Sequence, residues 1–340
     1  MDPSFLVGAG EIKNLGTNAH YGQGDYFILE ADEYRKSPED STPKFLDLSP
    51  KIEIISSIEM DHPDIFPSEE AVYNVFYKFA CRTPRTGFIV LNIDYPKSRK
   101  LERSLVDRRF ETYGFSDKAK WQIIDFVENP NETSFLLLHE EQKIGPFKLI
   151  VPGRANVLNA AAAAITSFKI GLEEKLVRKY LENFGGVKRR FEKIGQVGNF
   201  TIIDDYAHHP RSIQMILEAL ENKFPEAKIW CIFQPHTYSR TKILLNEFAN
   251  SFRRADKVII TDIFASEREK EGKISGQDLA LEIRQNQRSV RYIPDWSKIE
   301  EDIVDSANGP VVIITIGAGD IYKLAEKIIQ RLKNGQKPKI

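Results

Sequence analysis

The chain has 340 residues, 41% apolar and 29% charged, enough for about two domains with sizeable cores. Its 48 basic and 49 acidic residues leave a net charge of −1, which gives no reason to expect nucleic-acid or membrane-surface binding. No apolar run approaches a membrane span, Met1-Asp2-Pro3-Ser4 does not open a signal peptide, and Cys81 and Cys231 form no zinc or redox motif, so the expected compartment is the cytoplasm.

Short apolar runs alternate with amphipathic helical patterns, the signature of an α/β fold with mostly parallel sheets. Residues 1–24 hold Gly8, Gly10, Gly16, Gly22 and Gly24, but no Gly-x-x-x-x-Gly-Lys-Ser/Thr and only a weak dinucleotide pattern. Strands are predicted at 26–30, 52–58 and 87–92. Between the last two lies a helix capped by Ser68, with Val72, Val75, Phe76 and Phe79 on one face. Segment 110–150 reads as short strands forming an antiparallel edge, with turn signals at Asn129-Pro130-Asn131 and Gln142-Lys143. Paired glycines at Gly185-Gly186 mark a hinge, which places domains at 1–186 and 187–340. After it the alternation restarts, with strands at 200–204, 228–233, 257–262 and 311–316. Helices carry Ile213, Ile216, Leu217 and Leu220, and then Ile321, Leu324, Ile328 and Ile329.

Polar clusters stand at several strand ends, where ligands of open α/β sheets collect. The richest is Asp204-Asp205-Tyr206-Ala207-His208-His209-Pro210; helix capping is its blander explanation. In the first half, Leu29-Glu30-Ala31-Asp32-Glu33 and Ile58-Glu59-Met60-Asp61-His62 end two strands in carboxylates and a histidine. Carboxylate oxygen suits Mg²⁺, and two strand ends together favour a metal site over ordinary polar termini. Asn156 and Asn159 share one helix face and offer donors and acceptors to an adenine edge, whereas capping explains only Asn156. Lys188-Arg189-Arg190 is either a phosphate-binding group or a solvated linker. Phe233-to-Thr241 leaves a strand with His236 and Arg240, and Gly317-Ala318-Gly319-Asp320 is a compact turn, suited either to an anion or to close packing.

Taken in order, Glu30-to-Glu33, Asp61-His62, Gly153-x-x-Asn156-x-x-Asn159, Arg189-Arg190-Phe191, Asp204-to-Pro210, Phe233-to-Thr241 and Gly317-to-Asp320 resemble the Mur ligases of bacterial cell-wall synthesis. The resemblance spans essentially the whole chain. It implies a central ATPase-type domain followed by a C-terminal Rossmann-like domain, beginning after the phosphate loop and therefore inactive by itself. It also implies ATP and Mg²⁺ as cofactors, and an amide-forming reaction through an acyl phosphate that joins L-alanine to UDP-N-acetylmuramate. The expected roles are Glu30 and His62 on magnesium, Asn156 and Asn159 on adenine, Arg190 on the phosphates and Asp205 on the ribose. Tyr206, His208 and Arg240 would serve the joining chemistry. Thr237 stands where the family often has arginine, and Ala155 where it usually has histidine. The stretch between Tyr34 and Pro50, with Asp61-to-Phe66, looks more like a family member that adds a whole tripeptide. A non-catalytic binding module is the reading from another class.

Overall fold

The computed structural model describes residues 1–37, 39–62, 65–265, 269, 272–306 and 309–335. Pro63 and Asp64 of the tripeptide-like segment lie outside the described residues. The chain forms two compact units, Met1–Gly185 and Gly186–Ile340.

The first unit opens with a small sheet of order β2-β1-β3, built from β1 (Ser4–Leu6), β2 (Ala19–His20) and β3 (Phe27–Leu29). A six-stranded sheet follows in simple sequence order. Its strands are β4 (Ile52–Ile55), β5 (Phe88–Asn92), β6 (Phe110–Gly114), β7 (Trp121–Glu128), β8 (Thr133–His139) and β9 (Gln142–Leu149). From β4 to β7 the pairing is parallel, and β7, β8 and β9 pair antiparallel. The antiparallel edge expected for 110–150 thus begins only at β7. Its last turn falls at Glu140–Glu141, both at positive φ, so Gln142-Lys143 starts a strand instead of making the turn.

Helix α1 (Glu69–Ala80) starts where Ser68 Oγ accepts the Ala71 amide, and Glu69 and Glu70 favour the positive end of the helix. Val72 and Phe79 are buried, with Val75 and Phe76 partly so. With α2 (Pro96–Ser104), α1 packs on one sheet face through Tyr73, Leu101, Ile55, Ile89 and Leu91. On the other face, α3 (Arg154–Lys169) lays its alanine run against Val90, Tyr113 and Phe147, and α4 (Glu174–Glu182) adds Val177.

The edge strand β4 carries one misfit. Glu53 is 3% exposed, one of its oxygens accepts the Thr83 hydroxyl at 2.9 Å, and the other has no partner. Burial pushes its carboxyl from 4.5 up to about 7. Between those values the unfolded chain has released the proton and the folded chain has kept it, so stability falls as pH rises. The contribution is complete below pH 4.5 and gone above about 7, a loss of roughly 3 kcal/mol. Glu53→Gln keeps the Thr83 bond and cannot ionise. Urea unfolding should show it about 1–3 kcal/mol more stable than the parent at pH 8, with the pH slope reduced. Equal slopes in the two proteins would contradict this account of Glu53.

The second unit is a doubly covered sheet of order β10-β11-β15-β12-β13-β14. Its strands are β10 (Glu192–Val197), β11 (Phe200–Asp205), β12 (Lys228–Phe233), β13 (Lys257–Ile260), β14 (Val290–Tyr292) and β15 (Val311–Ile316). Only the β10–β11 pair is antiparallel. The runs Thr201–Asp205 and Val311–Ile316 are buried throughout, as parallel strands covered on both faces must be. One face packs α5 (Pro210–Lys223), α6 (Tyr238–Ile243), α7 (Leu245–Ala249) and α8 (Gly276–Ile283) around Leu217, Phe233, Phe248 and Leu279. The other packs α9 (Trp296–Ser306) and α10 (Tyr322–Gly335) through Ile299, Ile303, Leu324 and Ile328. Strand β15 is inserted between β11 and β12, which the chain joins through α5. The carboxyl ends of these three strands therefore lie side by side, at a point where strand order reverses and open sheets bind ligands.

Candidate functional site

Helix capping does not explain the Asp204-to-Pro210 cluster. The residue flanking α5 is His209, whose side chain makes no cap bond, and Pro210 takes the first turn, where a missing N–H costs nothing. Asp204 and Asp205 instead finish β11, and both are buried. Asp204 accepts the Thr315 hydroxyl at 2.6 Å and Arg189 Nε at 3.1 Å. Asp205 accepts the backbone amides of Phe191 at 2.7 Å and Ala207 at 2.8 Å. Burial pushes both carboxyls above the ordinary range, opposed at Asp204 by Thr315 and Arg189 and at Asp205 by Arg190 and the two amides. The ribose contact expected of Asp205 does not match this geometry. Its oxygens are turned onto the backbone and the residue is 4% exposed, which suits shaping the turn better than touching a ligand.

Beyond the two aspartates the chain turns Tyr206 and His208 outward, with ring centroids 5.4 Å apart. His236, from the end of β12, lies 6.1 Å from His208 and stacks on Phe264 at 5.7 Å. Arg240, 4% exposed on α6, donates through Nη1 to His236 Nδ1 at 3.2 Å. The structure thus gathers Tyr206, His208, His236 and Arg240 at adjoining strand ends. Arg190 is exposed, with its guanidinium 5.3 Å from the Tyr206 ring.

The partners assign the imidazole protons. His208 Nδ1 faces the Tyr206 carbonyl at 3.0 Å. A carbonyl only accepts, so Nδ1 carries hydrogen and Nε2 is the basic nitrogen of the neutral ring. His236 Nδ1 faces a guanidinium, which only donates, so its ring hydrogen sits on Nε2.

In the first unit, His62 Nε2 lies 3.2 Å from Glu33 Oε1 and 3.9 Å from Asp61 Oδ2. One ligand atom from each of Glu33, Asp61 and His62 falls within 4.8 Å of the others. Two carboxylates and an imidazole suit a divalent cation. Glu30, expected to share a metal with His62, is not in that group: it is exposed, and its carboxylate accepts the Gly8 amide at 2.8 Å. Asn156 donates through Nδ2 to the Pro152 carbonyl at 2.6 Å, and Asn159 is exposed one turn on. Gly153 enters this helix at φ 103°, open to glycine and strained for other residues. Arg154 lies over the Phe115 ring at 3.4 Å.

Comparison with known proteins places the chain. A family model described as the Mur ligase middle domain matches residues 11–167, and one described as the Mur ligase glutamate ligase domain matches 189–319. The UDP-N-acetylmuramate–L-alanine ligase of Caldanaerobacter subterraneus subsp. tengcongensis is 38% identical over 333 residues, 98% of this chain and 70% of that protein. The protein of the same name from Alkaliphilus metalliredigens is 40% identical over 331 residues, 97% of this chain and 69% of its own length. The chain belongs to the Mur ligase family. Its fold is that of the UDP-N-acetylmuramate-alanine ligase of Thermotoga maritima, at TM-score 0.78 and 24% identity over 98% of this chain and 70% of that one. A murein peptide ligase from Psychrobacter arcticus matches at TM-score 0.68 and 22% identity, over 100% of this chain and 73% of its own.

In this Mur ligase the two matched regions contain every residue expected to touch magnesium, nucleotide or the joining chemistry. Three features escaped the reading of the sequence. Arg189, adjacent to Arg190, is the arginine bonded to Asp204. Glu33, three residues beyond Glu30, is the carboxylate beside His62. Gln234 donates to Asp320 Oδ1 at 3.1 Å and accepts the Ile321 amide at 3.2 Å, so it fixes the glycine turn. Spacing alone does not tell neighbouring arginines or repeated carboxylates apart. Among the described residues no helix is long and apolar enough to cross a membrane.

Proposed function

We propose that this Mur ligase joins L-alanine to UDP-N-acetylmuramate at the expense of ATP, through an acyl phosphate. The observation that carries the reading is the Tyr206–His208–His236–Arg240 cluster, in a chain whose 38–40% identical relatives bear that activity in their names. The γ-phosphate of ATP passes to the muramoyl carboxylate, the amine of alanine attacks the acyl carbon, and phosphate leaves as the amide forms. Arg190 faces the nucleotide phosphates, and Arg240 offsets charge on the acyl phosphate or on the alanine carboxylate. His208 takes the proton that the amine must lose, through Nε2. His236 holds Arg240 and presents its own Nε2–H to the reacting group. Tyr206 orients His208, while Asn156 and Asn159 read the adenine edge.

Magnesium would be held by His62 with Glu33 and Asp61, while Glu30 stands outside that cluster on the Gly8 amide. A divalent ion there would supply charge neutralisation for the transferring phosphoryl group. The protein would act in the cytoplasm, where nucleotide-linked precursors are made.

The identity of the added group is tested by supplying the protein encoded by its gene with ATP, Mg²⁺ and UDP-N-acetylmuramate, together with L-alanine or an L-alanyl tripeptide. Amide product with L-alanine is expected. Product with the tripeptide alone moves the assignment to a peptide-recycling ligase, and ATP binding without any product leaves only a binding module.

A further inference from the structure

Arg189 makes three side-chain hydrogen bonds, and the reaction just described gives it no role. Its Nε donates to Asp204 Oδ2 at 3.1 Å, Nη1 to the Gly319 carbonyl at 3.1 Å and Nη2 to the Gly317 carbonyl at 2.6 Å. The guanidinium carbon lies 5.0 Å from the Tyr206 ring and 4.6 Å from the Tyr322 ring. Its side chain is 21% exposed, and that of its partner Asp204 is 0% exposed. The backbone is tied as well: the Arg189 amide donates to Glu192 Oε2 at 2.7 Å, and its carbonyl accepts the Tyr206 amide at 2.7 Å.

The residues on either side of Arg190, Arg189 at φ 63° and Phe191 at φ 45°, both occupy the left-handed region. Non-glycine residues remain there only when their surroundings over-determine them. The restraints are the Tyr206-to-Arg189 backbone bond and the Phe191-to-Asp205 bond. Arg190 is therefore held from both flanks, with its own side chain left exposed.

We propose that Arg189 is a positioning residue: its guanidinium ties the end of β11 to the Gly317–Gly319 turn and so presents Arg190, Tyr206 and His208 to the reacting groups. The inference rests on the ligase reading. Arginine is required because three acceptors in different directions are met by one planar fork, and because a buried carboxylate needs its charge balanced. A lysine at this position keeps the charge but not the fork.

The test uses Arg189→Gln, Arg189→Lys and Arg190→Gln in the protein encoded by its gene. Arg189→Gln should lower kcat by about 100-fold, the scale expected of misplaced groups, while the KM for ATP changes less than about threefold. Arg189→Lys, the variant to use if Arg189→Gln fails to fold, should recover only part of that loss. Arg190→Gln should act chiefly on the KM for ATP. Hydrogen exchange gives a readout independent of catalysis. The Gly317 amide, which donates to the Asp205 carbonyl, and the Ile321 amide, which donates to Gln234, should exchange at least about tenfold faster in Arg189→Gln and unchanged in Arg190→Gln. Parental kcat per folded molecule, or unchanged exchange at both amides, overturns the proposal. A parent protein without turnover on its substrates sinks the ligase reading instead, and exchange still decides whether Arg189 is a clamp.

Discussion

Replacing His208 by glutamine is expected to lower kcat for amide formation by about 10²- to 10⁴-fold, the usual worth of a positioned general base. The amine of alanine is protonated in water and must lose a proton to attack. His208 Nδ1 is committed as a donor to the Tyr206 carbonyl, so Nε2 of the neutral ring is the acceptor, fixed in direction by the turn beyond β11. Glutamine approximates the size of imidazole but cannot accept a proton at neutral pH. The KM for ATP should change little, because Arg190 and the asparagines are untouched. In single-turnover mixing, ADP should still form at near the parental rate while amide lags behind it. Parental kcat in His208→Gln would remove His208 from the chemistry.

The largest expected effect on stability is at Phe233. This side chain is 0% exposed and packs between the rings of Phe248 at 5.5 Å and Phe252 at 5.3 Å. Phe233→Ala removes a whole ring from a close-packed layer between β12 and the α6–α7 side of the sheet. The cost is about 3–5 kcal/mol, from lost apolar burial plus the cavity left behind. Phe233 also precedes Gln234, which holds Asp320 and the Ile321 amide, so the glycine turn should loosen with it. Phe27→Ala is the control: Phe27 is 65% exposed on β3, and its loss should cost well under 1 kcal/mol. Urea unfolding of both variants checks this, and similar midpoints for the two would contradict the account of the core.

What could be read from the sequence was what local pattern determines. Runs such as Ile229–Phe233 and Val311–Ile314 are wholly apolar because parallel strands are buried on both faces, so they stand out. The helices of α1, α5 and α10 announce themselves by periodicity, and Ser68 by its capping chemistry. Strands β1 and β2 did not, since three and two residues carry no alternation. The insertion of β15 between β11 and β12 is a long-range pairing with no local signature, yet it brings Tyr206, His236 and Gly317 to one end of the sheet.

The site was legible as residue types and partly illegible as roles. Asp204 and Asp205 read as a functional pair, but their burial, which turns one onto Arg189 and the other onto backbone amides, comes from tertiary packing. The choice between Arg189 and Arg190 is a matter of which side of a left-handed turn each occupies. Glu30 and Glu33 are both strand-end carboxylates, and only folding decides which one reaches His62.

The central claim is a ligation that couples two substrates to ATP cleavage, and the most direct test is phosphate release by the protein encoded by its gene, with Mg²⁺ and ATP present. The account predicts sustained release only when UDP-N-acetylmuramate and L-alanine are supplied together, with one amide formed per phosphate. Equal release with either substrate omitted, or none with both present, would contradict it.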